Sequence, residues 1–153
     1  MARAPFQVLV FLFVQRSAQG RLYAIFRRSD RDSWQAIAGG GEDSETPEQA
    51  AAREAFEEAH VVAADALIAI DSRASIPVVF FEGTDHWPRD LFVVPEYAFA
   101  LEVSDASVRL SHEHAEVAWL PFEQARERLT WDSNRVALWE LEQRLALRAN
   151  ERL

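Results

Sequence analysis

Twenty-two residues beginning at Gly39, GGGEDSETPEQAAAREAFEEAH, constrain this chain more than any other part of it. Three consecutive glycines free the backbone for positive φ and for close approach to a ligand, so an extended stretch is expected to break there. A helix start follows at once. Thr46 is the N-cap, Pro47 occupies the first helical position and Gln49 completes a capping box. The helix is expected to run to about His60, with Ala52, Ala55, Phe56 and Ala59 forming an apolar stripe against a core. Ala50, Ala51, Glu54, Glu57 and Glu58 then fall on a different side.

Glu54, Glu57 and Glu58 stand at i, i+3 and i+4, which crowds three carboxylates onto neighbouring positions. Each like-charge pair costs about 0.2–0.5 kcal/mol, and Arg53 is the nearby cation in a chain that has no Lys. A hard divalent cation, Mg²⁺ or alternatively Mn²⁺, would supply the missing charge, because it takes carboxylate oxygens and leaves coordination positions for phosphate. It would also activate water for attack on phosphorus, with a neighbouring carboxylate as proton acceptor. A solvated helix face explains a Glu pair equally well. The longer pattern weighs against that reading: Gly39, Glu45, Arg53, Glu54, Glu57 and Glu58 at fixed spacing arise by chance on the order of once in 10⁴–10⁵ such chains.

Around this segment the sequence predicts a strand-rich chain. Phe6–Val14 and Leu22–Arg27 read as a hairpin across the turn at residues 17–20, and Trp34–Ile37 as a short strand. Further strands are expected at 66–76, 78–81, 91–94, 97–103 and 117–120, with 83–89 as an intervening loop. Phe122–Leu129 and Ser133–Leu147 carry helical composition, the second capped by Asp132 or Ser133. Strands, a helix, more strands and terminal helices point to an α+β chain, a mixed sheet sandwiched by helices, organised as one domain over residues 1–153.

The net charge of −9, with sixteen Arg as the only basic residues, argues against a partner that is a nucleic-acid polymer. No apolar stretch reaches the roughly 18 residues needed to span a bilayer, and no secretory leader is read, so no membrane partner is expected and the cytoplasm is the expected compartment. The chain has no Cys, which excludes disulfides and thiolate metal sites. Oligomeric state is not readable.

The segment Gly39–Val61 resembles the Nudix box, G-x5-E-x7-R-E-U-x-E-E-x-G-U. The resemblance implies an α/β/α sandwich in which the box forms a loop-helix-loop, with Glu54, Glu57 and Glu58 as metal ligands. It further implies that Gly39 forms the turn, and that Glu45 and Arg53 hold the loop and orient the catalytic carboxylates; Gly40 belongs to the same motif structure. His60 stands where the box has its last Gly, a change read as affecting the helix exit and not the chemistry.

Ser33-Trp34-Gln35, Glu113-His114 and Trp131-Asp132-Ser133-Asn134-Arg135 resemble, less specifically, the dihydroneopterin triphosphate and dATP pyrophosphohydrolase group of that family. This implies a small nucleotide or pterin triphosphate as substrate and Glu113 as a further metal ligand or base. The general base is open among Glu54, Glu57, Glu58 and Glu113. Arg27 or Arg28 is expected to meet a phosphate, one of them facing inward. Trp34 is either a stacking platform or core, Gln35 accompanies it as a substrate contact, and Asn134 is either a substrate contact or a cap. Competing functions are hydrolysis of another nucleoside diphosphate derivative and a catalytically silent nucleotide-binding module.

Overall fold

In the computed structural model, which describes residues 2–15, 17 and 20–151, the chain forms one mixed sheet with helices on both faces. Its strands are β1 (Arg3–Val14), β2 (Leu22–Arg28), β3 (Trp34–Gln35), β4 (Ile37–Glu42), β5 (Ile68–Pro77), β6 (Val93–Glu102) and β7 (His114–Leu120). Helix α1 (Pro47–Ala59) lies on one face, and α2 (Phe122–Arg128) and α3 (Asp132–Glu151) on the other. The order is β3-β2-β1-β6-β5, with β4 also on β1 and β7 also on β2; β1 and β6 run parallel, the remaining pairs antiparallel. No helix among the described residues is long and apolar enough to cross a membrane.

The continuous apolar run of β1 is explained by its central position, because a strand covered on both faces needs no polar alternation. Val8, Val10 and Leu12 pack under α1, while Leu9, Phe11 and Phe13 pack against Leu138, Leu141 and Leu145 of α3. One edge of β1 is shared: its C-terminal end pairs with β2 and its N-terminal part with β4. The sheet therefore forks between β2 and β4, and α1 spans the fork. In the β1–β2 turn, Gly20 N–H donates to the Ser17 carbonyl, whereas Ala18 and Gln19 lie outside the described residues.

Several boundaries differ from expectation. The three glycines do not break the chain; they belong to β4, paired with β1, and none takes a positive φ. Glycine is needed there for closeness alone. A Cβ on Gly39 would stand 2.1 Å from the Glu54 carboxylate, and one on Gly41 2.2 Å from the Phe6 ring. Residues 78–80 make a single 3₁₀ turn and not a strand. The two strands expected at 91–94 and 97–103 are one, because Pro95 sits where β6 has β5 but not yet β1 as neighbour and no ladder N–H is missed.

Helix α1 starts as read, with Thr46 Oγ1 accepting from Gln49 N–H at 3.2 Å and Gln49 Oε1 from Thr46 N–H at 2.9 Å. Its buried side is another matter. Ala50, Ala51, Glu54, Ala55, Glu58 and Ala59 face the sheet, while Phe56 is 53% exposed. Small alanines let the helix settle close to Phe26 and Phe99, and Glu54 and Glu58 are carried inward with them.

The helix ends at His60, which takes the left-handed conformation (φ 58°, ψ 32°); its N–H donates to the Phe56 carbonyl and the Val61 N–H to the Ala55 carbonyl. The exit is thus the one a glycine would give. A non-glycine residue there is strained by about 1–2 kcal/mol. His60→Gly is expected to raise stability in urea denaturation by about 1 kcal/mol, part of the strain relief being offset by a freer unfolded chain, with turnover unchanged.

Candidate active site

Arg53 is the hub of the site. Its Nε and Nη2 reach both Glu45 oxygens at 2.8 and 3.0 Å, Nη2 also donates to the Gly40 carbonyl at 2.8 Å, and Nη1 donates to Glu54 at 3.0 Å and Glu57 at 3.1 Å. Glu45 Oε1 in turn accepts from Glu42 N–H at 2.8 Å, closing the β4–α1 connection. The paired bonds from Arg53 hold the Glu45 carboxyl below its usual range, and the same bonds, with Glu54 beside them, push the guanidinium pKa above its own.

Glu54 lies in the fork against Gly39, only 7% exposed. Burial, countered by Arg53 and reinforced by Glu58 and Glu57, pushes its carboxyl up to about 7. Glu58 is equally buried and behaves in the opposite way. Burial raises it, but the neighbouring His114 and Glu113 and the bond from Ser111 outweigh that and hold it at about 2. Ser111 Oγ donates to its Oε2 at 2.7 Å, and His114 Nδ1 lies 3.0 Å from the same oxygen, near enough for an ion pair though off the line of a hydrogen bond. The Glu58 carboxylate beside it raises the Glu113 carboxyl, as burial also does.

Glu54, Glu57, Glu58 and Glu113 supply the hard oxygen donors that a divalent cation takes, and burial raises the Glu54 carboxyl even with Arg53 beside it. Among the described residues no three of these groups close on a single point, since Glu57 is turned to Arg53 and Glu58 to Ser111 and His114.

Gly39 is the close-contact residue. Adding a Cβ forces the Glu54 carboxylate, the end of a flexible side chain, out of the fork. Gly39→Ala is expected to lower turnover by about 100-fold through this displacement, while the melting temperature changes little.

Of the expected substrate contacts, Arg28 lies on the glutamate side. Its head is engaged by Asp30 at 2.7 and 2.9 Å within the field of Glu113 and Glu58. Arg27 alternates onto the other face and bonds Glu116 at 2.7 Å. Trp34 packs on the α2–α3 core under Arg128, its N–H held by Thr130 Oγ1, so the structure places it as core. Gln35 pairs with Phe26 and shares its face, with no side-chain hydrogen bond among the described residues. Asn134 is 2% exposed; its Oδ1 accepts the Ala36 N–H at 2.9 Å between β3 and β4, a structural bond in place of the expected cap or ligand contact.

Ser111 and His114 escaped the sequence reading as site residues. His114 opens β7 and is buried with its ring 5.0 Å from Phe26. A bulge explains the miss: Arg27 pairs with Glu116 and Arg28 with His114, so Ala115 is an extra residue that turns His114 toward α1.

Residues 5–139 match the NUDIX domain model, and the chain belongs to that family of phosphoanhydride hydrolases, which generally use a divalent metal. Among curated proteins it is 30% identical to the dihydroneopterin triphosphate diphosphatase of Escherichia coli K12 over 138 residues, 89% of this chain and 91% of that one. A solved structure from Listeria monocytogenes assigned to the NUDIX hydrolases is 40% identical, with a TM-score of 0.84 over 95% of this chain and 97% of the other. The E. coli dihydroneopterin triphosphate pyrophosphohydrolase structure gives 25% identity and a TM-score of 0.73 over 90% and 94%.

Proposed function

We propose that this protein is a Mg²⁺-dependent pyrophosphohydrolase, with Mn²⁺ as an alternative metal, that cleaves a ring-bearing triphosphate to monophosphate and pyrophosphate. Dihydroneopterin triphosphate is the first candidate substrate and dATP the second. The observation that carries this reading is the Arg53-ordered cluster of Glu54, Glu57 and Glu58 packed against Gly39. The similarity to dihydroneopterin triphosphate diphosphatase over nearly the whole of both chains supports the choice of substrate.

Glu54, Glu57, Glu58 and Glu113 would hold the cation. When bound, it supplies positive charge against phosphate oxygens and activates water for attack on phosphorus. Arg53 fixes the directions of Glu54 and Glu57, and Arg28 is released from Asp30 to meet a phosphate through its paired N–H donors. Water attacks phosphorus, one P–O–P bond breaks, pyrophosphate leaves, and a carboxylate of the cluster takes the proton of the water.

Purified protein with Mg²⁺ is expected to release pyrophosphate from dihydroneopterin triphosphate or dATP. A panel that includes dinucleoside polyphosphates, sugar nucleotides and oxidised nucleotides serves as the comparison. Orthophosphate as the first product, or turnover confined to the panel's other members, would contradict the reading. Nucleotide binding without hydrolysis would mark the chain as a silent module.

A further inference from the structure

The glutamate cluster uses the α1 face of the sheet. On the opposite face α3 covers Leu9, Phe11 and Phe13, but the sheet below them is left partly open. Gln7 of the central strand β1, Ala38 and Gly40 of β4 and Ala74 of β5 remain part-exposed there. Alanine leaves this floor flat at Ala38 and Ala74, and the Arg3 guanidinium lies over Gly40.

Glu96 of β6 lies in its middle, with Gln7 as cross-strand partner on one side and Ala74 on the other, and is 4% exposed. Gln7 Nε2 donates to Glu96 Oε2 at 2.6 Å, and Ser133 at the start of α3 stands beside the carboxylate. No cation pairs with it among the described residues, and burial pushes its carboxyl above the usual value. A carboxylate held dry with no counter-charge is costly, and packing would be served as well by an amide or an apolar side chain.

We propose that Glu96 recognises the substrate's ring, its two oxygens accepting two adjacent N–H donors such as a 2-amino-4-oxopyrimidine edge presents in a pterin or guanine. This rests on the triphosphate reading above and narrows it. Two acceptors side by side match two donors side by side; the adenine edge sets a donor beside an acceptor, which would face a carboxylate oxygen. Glu96, Gln7 and Gly40 are successive partners across β6, β1 and β4, so Gly40 lies about 10 Å from Glu96 at ordinary strand spacing. The Gly40 carbonyl is bonded to Arg53, so this row ends at the glutamate cluster. Beyond β1, β4 has no strand partner among the described residues, which leaves its outer edge open for a phosphate chain to pass from the ring site to α1.

The test is steady-state kinetics on dihydroneopterin triphosphate, dGTP and dATP with the wild type and Glu96→Gln, whose amide offers an acceptor beside a donor. The kcat/KM for the first two is expected to fall at least about 100-fold while that for dATP holds or rises. Equal losses on all three, or none, would overturn the proposal. Calorimetry with the phosphate-free rings neopterin, guanosine and adenosine, without metal, gives an independent readout. The wild type is expected to prefer neopterin and guanosine, and Glu96→Gln to lose that preference. If no triphosphate is hydrolysed, the pyrophosphohydrolase reading fails by itself; a wild type without ring preference overturns the role of Glu96.

Discussion

Glu58→Gln is expected to lower kcat by about 10³-fold at saturating Mg²⁺, and Glu57→Gln by a similar factor, because each removes a full negative charge from the group that would hold the cation against phosphate. Their effects on stability should differ. Glu57 is exposed and bonded only by Arg53, so its loss costs little. Glu58 is buried and carries Ser111, His114 and Glu113, so its loss should cost about 2 kcal/mol near neutral pH. Its carboxyl is held at about 2, below the unfolded value. Its contribution is therefore present above the unfolded pKa and is lost as pH falls toward 2. Rate assays beside urea titrations check both variants; unchanged turnover would remove that residue from the site.

Glu54→Gln should abolish activity and stabilise the metal-free protein. The Glu54 carboxyl stands at about 7 in the fold, above its ordinary unfolded value. Between those values the native chain keeps a proton that the unfolded chain has lost, so metal-free stability falls as pH rises from about 4.5 to 7. Glutamine removes that ionisation. The variant should gain on the order of 2 kcal/mol over the wild type at pH 8 in EDTA and show a flatter pH dependence. Saturating Mg²⁺ should close the gap by stabilising only the wild type. A variant less stable than the wild type at pH 8 in EDTA would mean that Glu54 is already compensated by Arg53.

The opposite signs at Glu54 and Glu58, one helical turn apart, show where sequence reading stopped. Spacing was enough to place Gly39, Glu45, Arg53 and the three glutamates in one motif, because their relations are local along a capped helix. The sandwich was legible from strand and helix composition for the same reason. The buried side of α1 was not, since hydrophobicity favoured Phe56, whereas close packing on the sheet is set by alanines. His114 was hidden by the bulge at Ala115, which breaks the alternation from which its direction would be read. Asn134 and Glu96 gain their surroundings from partners about ninety residues or more away in the chain, Ala36 and Gln7, and no local pattern announces such contacts.

The most direct test of the central claim, that the helix glutamates form a divalent-metal site, is a Mn²⁺ titration followed by electron paramagnetic resonance. It compares the wild type with a triple variant carrying Glu54→Gln, Glu57→Gln and Glu58→Gln. The wild type should deplete the free Mn²⁺ signal and release it on addition of Mg²⁺, and the triple variant should leave the signal untouched. Equal depletion by both proteins, or none by the wild type, would contradict the account.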